Sequence, residues 1–336
     1  MTMHEVRYYK KEKDKVACQL CPNHCLIAEG GVGSCLSRGV VDGSLIALTY
    51  GRVVSASVDP IEKKPLYHLC PGRPIFSIGT YGCNLHCRFC QNADISQKKQ
   101  PTAELLPQQL VAEASAVDGN IGVAFTYNEP GIWYEYILDC APVLQQAGLM
   151  TVMVTNGYLN PEPWRDLCRV VDAMNIDLKA FNADFYQKIC GGRLDTVKDN
   201  IRVAIESGVH VELTNLVVTG LNDDPAEFTA LVDWVADLSD NLPLHISRYF
   251  PRYHETAPPT APSTIERFVE IARKKLKYVY QGNLPGDQDT RCPACGATWV
   301  ARNNYQVVVT CKSETCACGH KLPFMQKSRL LPKMKG

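Results

Sequence analysis

The sequence predicts an α/β protein: a partial (β/α)6 TIM-like barrel over residues 74–286, preceded by a small Cys-rich, β-containing cap (1–73) and followed by a metal-ribbon appendage (287–336). Three observations carry this. Apolar strand-like runs alternate with amphipathic helical stretches through the middle of the chain, as in a parallel sheet built from βα units. A polar cluster follows each run, where barrel enzymes build their sites. The 16 cysteines fall in groups, Cys18–Cys35, Cys83–Cys90 and Cys292–Cys318. Only Cys70, Cys140, Cys168 and Cys190 stand apart, as small buried hydrophobes.

Thirty-five basic and 35 acidic residues cancel among 336, so nothing points to a nucleic-acid surface. No apolar run approaches a membrane span, and the first residues do not resemble a signal peptide. A cytoplasmic protein without membrane or nucleic-acid partners is expected. In that reducing compartment, grouped cysteines mean metal more often than disulfide.

The cap carries Cys18-x2-Cys21-Pro22-x2-Cys25 and then Cys35, with Gly30, Gly31 and Gly33 between the last two ligands. The simplest reading is a closed four-thiolate zinc knuckle; an auxiliary iron–sulfur cluster is the rival. Asp42-Gly43 between apolar runs signals a hairpin. The two prolines of Asp59–His68 predict a loop, either a solvated linker or a lid over the site.

The barrel elements follow in order. Ile75–Gly79 reads as the first strand. Pro107 opens a helix with Leu110, Val111, Ala114 and Val117 on one face. Ile121–Thr126 is the second strand, and a helix from about Ile132 to Ala147 is kinked by Pro142 and ended by Gly148. Thr151–Val154 and Asp172–Ile176 are the third and fourth strands. A helix bearing Val197, Ile201 and Ala204 leads to the fifth, His210–Val218. Asp224 caps the next helix, Leu244–Ser247 is the sixth strand, and after a last helix Lys277–Gln281 adds an edge strand.

The first strand feeds Cys83-x3-Cys87-x2-Cys90. Three thiolates so close can hold three irons of a [4Fe–4S] cube, leaving the fourth iron open. A zinc site closed by His86 or Cys70 is the bland alternative. The later strands end in Thr126-Tyr127-Asn128-Glu129-Pro130, Thr155-Asn156-Gly157 and Asp177-Leu178-Lys179. His245, Ser247 and Arg248 after the sixth strand are candidates for substrate contact, with Thr214 and Asn215 on the fifth. The alternative makes His245 a satisfied core histidine and Arg248 a surface partner. In the tail, Cys292-Pro293-Ala294-Cys295 needs a second pair. Cys316 and Cys318 are the choice, Cys311 the rival, and zinc or a redox metal the occupant. Lys327–Gly336 is expected to be a mobile tail.

Cys83, Cys87, Phe89 and Cys90 together resemble the C-x3-C-x-aromatic-C fingerprint of the radical S-adenosylmethionine (SAM) superfamily. The resemblance implies a [4Fe–4S] cluster whose open iron binds SAM and cleaves it reductively to methionine and a 5′-deoxyadenosyl radical that abstracts hydrogen. Asn128-Glu129-Pro130 matches the end of that family's Gly-Gly-Glu-Pro, which gives Glu129 the SAM amine. Thr155-Asn156-Gly157 and Asp177-Leu178-Lys179 resemble the glycyl-radical-activating branch, exemplified by pyruvate formate-lyase activase, with Val154 where that branch carries Asp. This places Phe89 near the adenine and Asn156, Asp177 and Lys179 around ribose and carboxylate. With Asp59–His68, Cys90-Gln91-Asn92 and the terminal Cys-Pro-x-Cys, nearly the whole chain is similar to the radical SAM component of the AmmeMemoRadiSam system. That implies an electron donor such as flavodoxin or ferredoxin, and as partners Memo-like and AMMECR-like proteins or a glycyl-radical enzyme. A protein glycine, a small molecule and a partner's side chain are all open as targets. A metal-binding assembly protein without radical chemistry is the reading from another class.

Overall fold

The computed structural model describes residues 4–303, 305–311 and 315–321; Lys327–Gly336 lies outside the described residues. Its centre is one open sheet of eight strands: β1 Ser55–Pro60, β2 Pro74–Gly79, β3 Gly122–Phe125, β4 Met150–Thr155, β5 Ala173–Asp177, β6 His210–Val217, β7 Leu244–Arg248 and β8 Val279–Gly282. Spatial order follows chain order, with β1 antiparallel to β2 and every other neighbouring pair parallel. Six helices make the crossovers from β2 to β8: α1 Pro107–Ser115, α2 Tyr134–Gln146, α3 Pro161–Cys168, α4 Leu194–Glu206, α5 Pro225–Leu238 and α6 Pro262–Arg273. These are the six expected βα units plus the edge strand. Helix α3 has no counterpart in the sequence reading, where Pro161 and Pro163 hide a short helix; Pro161 opens it, as proline at a first helical position can.

The central strands are apolar on both faces because both are covered. Val123, Phe125, Met153, Met174 and Ile176 pack toward the helices. Ala124, Val152 and Ala173 face the other way, onto Ile61, Leu66 and Leu69. The segment after β1 is therefore not a solvated linker. It crosses the inner face of the sheet as a plug, and Asp59, Lys63, Lys64 and Pro65 line the cavity described below. Its charges are buried in pairs: Lys64 with Asp59 at 2.7 Å and Glu62 with Arg302 at 3.6 Å. Strand β1, inside the expected cap, pairs along its length with β2.

The cap proper has a three-stranded antiparallel sheet (Tyr9–Glu12, Lys15–Cys18, Leu26–Ala28) and the expected hairpin (Arg38–Val41 with Ser44–Ala47). Both turn residues of that hairpin, Asp42 and Gly43, have positive φ, as its tight turn requires. A buried ion pair, Arg38 to Glu135 at 2.7 Å, joins the cap to α2. At the other end, Thr290–Arg291, Thr298–Asn303 and Gln306–Val309 form the ribbon sheet. Arg302 docks it on the plug, donating to the Tyr67 carbonyl at 2.8 Å and lying over the Tyr67 ring.

Candidate active site and metal centres

A cavity of about 460 Å³ opens at the carboxyl ends of β2–β7. Cys83, Cys87 and Cys90 line it, together with Phe89, whose ring packs against Phe185. The loop between β2 and these cysteines is fixed by side-chain amides. Asn128 donates to the Gly82 carbonyl at 2.9 Å and accepts from Thr80 N–H at 3.1 Å. Asn84 donates to the Tyr158 carbonyl at 2.5 Å and accepts from Asn156 Nδ2 at 2.9 Å. The Asn156 amide also lies 3.7 Å from Cys83 Sγ. Neither of the zinc alternatives is assembled at the loop: His86 Nδ1 is engaged by Gln97 at 2.7 Å, and Cys70 lies in the plug's core.

Tyr127 and Asn128 stand where the related motif has two glycines. Tyr127 adopts φ +71°, the left-handed region that glycine enters freely and a tyrosine enters at a cost of about 1–3 kcal/mol. It is held there from three sides. Its hydroxyl donates to Asp59 at 2.6 Å, Lys64 Nζ lies 4.5 Å from its ring centre, and its carbonyl accepts from Asn92. Burial alone would push the Asp59 carboxyl up; bonds from Lys64, Tyr127 and Lys63 hold it below the ordinary range.

Glu129 is almost fully buried and lines the cavity. Its Oε1 accepts from Gly131 N–H at 2.7 Å and the Thr155 hydroxyl at 2.6 Å, its Oε2 from Asn156 N–H at 2.7 Å. Burial pushes its carboxyl up to about 7 against the pull of those bonds. Asp177 and Lys179 pair across the cavity wall at 2.9 Å. Burial would push the Lys179 ammonium down, yet Asp177 and the thiols of Cys87 and Cys190 carry it well above the usual lysine range.

Ser247 and Thr214 face the cavity; His245 does not. Inward-facing residues alternate along β7, and His245 lies two residues before Ser247, one step deeper along that strand. There its Nε2 lies 2.8 Å from Glu212, the core position its alternative reading described. Arg248 donates to the Thr260 carbonyl and stacks over Phe250, and Asn215 donates to the Leu178 carbonyl; neither reaches the cavity. One cysteine read as isolated belongs here. Cys190, at the end of a π-helical turn (Tyr186–Cys190), bonds to the Cys87 thiol and pulls it down, while its carbonyl accepts from His86 N–H at 2.8 Å. About a hundred residues separate the two, so no local spacing could reveal the contact.

Residues 77–235 match the sequence profile of the Radical SAM superfamily. An uncharacterized protein of Methanocaldococcus jannaschii is 40% identical over 96% of this chain and 100% of its own. The chain belongs to the radical SAM superfamily. More distantly, it is 25% identical to the pyruvate formate-lyase-activating enzyme of Clostridium pasteurianum, over 47% of this chain and 67% of that one, and 27% identical to a GTP 3′,8-cyclase of Staphylococcus haemolyticus, over 49% and 52%. A radical SAM family implies a [4Fe–4S] cluster and SAM. Three soft thiol donors on one loop fit such a cluster, and the cavity beside them has room for a nucleoside-sized molecule. No helix among the described residues is long and apolar enough to cross a membrane.

The ribbon holds a second sulfur site. The Sγ atoms of Cys292, Cys295, Cys316 and Cys318 lie within 4.8 Å of one another, whereas Cys311 packs beside the ribbon's own apolar cluster. This spacing suits one tetrahedral ion.

Proposed function

We propose that Cys83, Cys87 and Cys90 hold the [4Fe–4S] cluster and that the adjoining cavity binds SAM. The observation that carries this is convergence: the three thiols meet Glu129, Asn156, Asp177 and Lys179, delivered by the ends of successive strands, around one cavity. Cluster and SAM together supply reductive cleavage to methionine and a 5′-deoxyadenosyl radical that removes a hydrogen atom. The chain's own residues bind and orient. Lys179, fixed by Asp177, offers a permanent positive charge to the SAM carboxylate. Glu129, held by Thr155 and Asn156, faces the amine. Phe89 provides the apolar wall for the adenine, and Ser247 with Thr214 lies toward the substrate. An electron donor of the flavodoxin or ferredoxin class completes the requirement.

The target is a protein segment, as for the glycyl-radical-enzyme activases. The relative named pyruvate formate-lyase-activating enzyme supports this, whether the segment lies in a glycyl-radical enzyme or in a Memo-like or AMMECR-like partner. The similarity to a GTP 3′,8-cyclase favours a small molecule as the second reading. We assign zinc to the ribbon's four thiolates.

The test is 5′-deoxyadenosine formed anaerobically from SAM and dithionite, compared with a C83A/C87A/C90A variant. Product from the wild type alone is expected, rising when the protein partner is added. An iron- and sulfide-replete wild type that forms none would sink the proposal. A rise with GTP instead would move the target to the small molecule.

A further inference from the structure

The four cap cysteines take no part in the radical site. Cys18, Cys21, Cys25 and Cys35 line one small internal cavity, whose remaining wall is largely Leu20, Ile27, Ile132 and Arg38. There is room at its centre for a water-sized sphere, about 10 Å³. A zinc ion about 2.3 Å from four sulfurs sets them about 3.8 Å apart and leaves no such room. The ribbon's thiols show that tight arrangement; among the described residues, no three of the cap thiols reach the same mutual spacing. A cube of irons and sulfides spreads its thiolates wider than a single ion does.

Arg38 supplies an independent observation. It is 1% exposed. Its Nη1 donates to the Arg7 carbonyl and its Nη2 to Glu135, but its Nε has no partner among the described residues. A buried N–H without an acceptor is costly, and the sulfur atoms of a bound cluster are hydrogen-bond acceptors.

We propose that Cys18, Cys21, Cys25 and Cys35 hold a second iron–sulfur cluster, a redox centre in place of the structural zinc that their spacing first suggests. The cap set abuts the loop that carries Cys83. Gly82 has φ +96°, and a Cβ there would collide with the Cys35 carbonyl oxygen; Cys83 is the next residue. From within the cap set, Asn23 donates to the Asn84 carbonyl at 2.8 Å. One electron from a ferredoxin-class donor, taken up at the cap cluster, leaves it for the Cys83 loop, so one enters for each SAM cleaved. This relay rests on the proposed function; the cap cluster itself does not.

The C83A/C87A/C90A variant separates the two claims. Purified anaerobically, it is expected to keep about four irons and four sulfides per chain and to give a half-integer-spin signal on reduction with dithionite. Zinc in the cap in place of iron would overturn the inference, and would leave the radical site's own cluster untouched in the wild type. As a measurement that needs no variant, X-ray absorption of the wild type should count one zinc per chain, in the ribbon; two all-sulfur zincs would also overturn it.

Discussion

Two layers of inward-facing side chains stack along the same strands and are treated in opposite ways. In the upper layer, Asp177 of β5, Thr214 of β6 and Ser247 of β7 face the cavity, with Asp177 paired to Lys179 and the Thr214 hydroxyl donating down to Asn175. In the lower layer, Asn175, Glu212 and His245 lie two residues before them on the same strands, with Tyr280 beside His245 on β8, and the plug bonds to Asn175, Glu212 and Tyr280. Glu212 alone accepts from Tyr67 N–H at 3.0 Å, His68 N–H at 2.7 Å, His210 at 3.0 Å and His245 at 2.8 Å. Polar residues below tie the plug to the barrel; polar residues above line the cavity. Substitutions below should cost stability, and substitutions above should cost function.

The largest effect is expected at Glu212. Burial would push its carboxyl up, but the bonds from His210 and His245 pull it well below the ordinary range, so it is a buried anion with four partners. Glu212→Ala strands two imidazoles and two backbone N–H groups, and should cost about 4 kcal/mol in urea unfolding. A loss under about 1 kcal/mol would mean that the lower layer is not what ties the plug to the barrel.

The same layer should make the fold acid-labile. Burial pushes the His68 imidazole down to about 3, against about 6.5 in the unfolded chain. A histidine kept neutral in the fold contributes its full stability above 6.5 and loses it as pH falls toward 3. The loss is about 1.4 kcal/mol per pH unit, or about 3 kcal/mol by pH 4. The depressed Glu212 adds to the loss in the same direction. Unfolding followed from pH 7 to pH 4 should show this slope, and His68→Asn should flatten it. An unchanged slope in that variant would assign the titration elsewhere.

Strand ends were legible because each polar motif follows an apolar run, so the residues that converge on the cavity could be named from order alone. Depth was not legible. A period of two puts His245 and Ser247 on one face, and only the plug's position says which of them lies below it. The plug itself reads as a loop, because Pro60, Pro65 and four charged residues argue against burial; the buried charges are tolerated through partners, Asp59 for Lys64 and, distant in sequence, Arg302 for Glu62. Cys190 escaped for the same reason. The ribbon set was legible because its pairs lie close together, whereas the cap's spacing is compatible with either metal chemistry and only the size of the cavity separates them.

Tyr127 lies between the layers, with its hydroxyl on the plug's Asp59 and its backbone at the cavity. Tyr127→Phe keeps the left-handed backbone and removes one bond to a charged acceptor, worth about 1.5 kcal/mol. Chemical denaturation should show that loss with SAM affinity little changed. A variant as stable as wild type would mean that Lys64 and Asn92 alone hold the strained turn.

The smallest effect on stability, and the sharpest contrast, is expected in the upper layer. The Asp177 side chain is 34% exposed at the cavity and Lys179 beside it 15%. A pair open on one side contributes about 1 kcal/mol, so Asp177→Asn should cost far less stability than Glu212→Ala. If Asp177 fixes Lys179 for the SAM carboxylate, the same change should weaken SAM binding about tenfold, a difference of about 1.4 kcal/mol, measured by equilibrium titration of the anaerobic, cluster-loaded protein. Glu212→Ala should do the reverse: a large loss of stability, with SAM affinity near normal in the fraction that remains folded. Coupled losses of stability and affinity in both variants would erase the distinction between the layers and make the barrel's inner face one cooperative network.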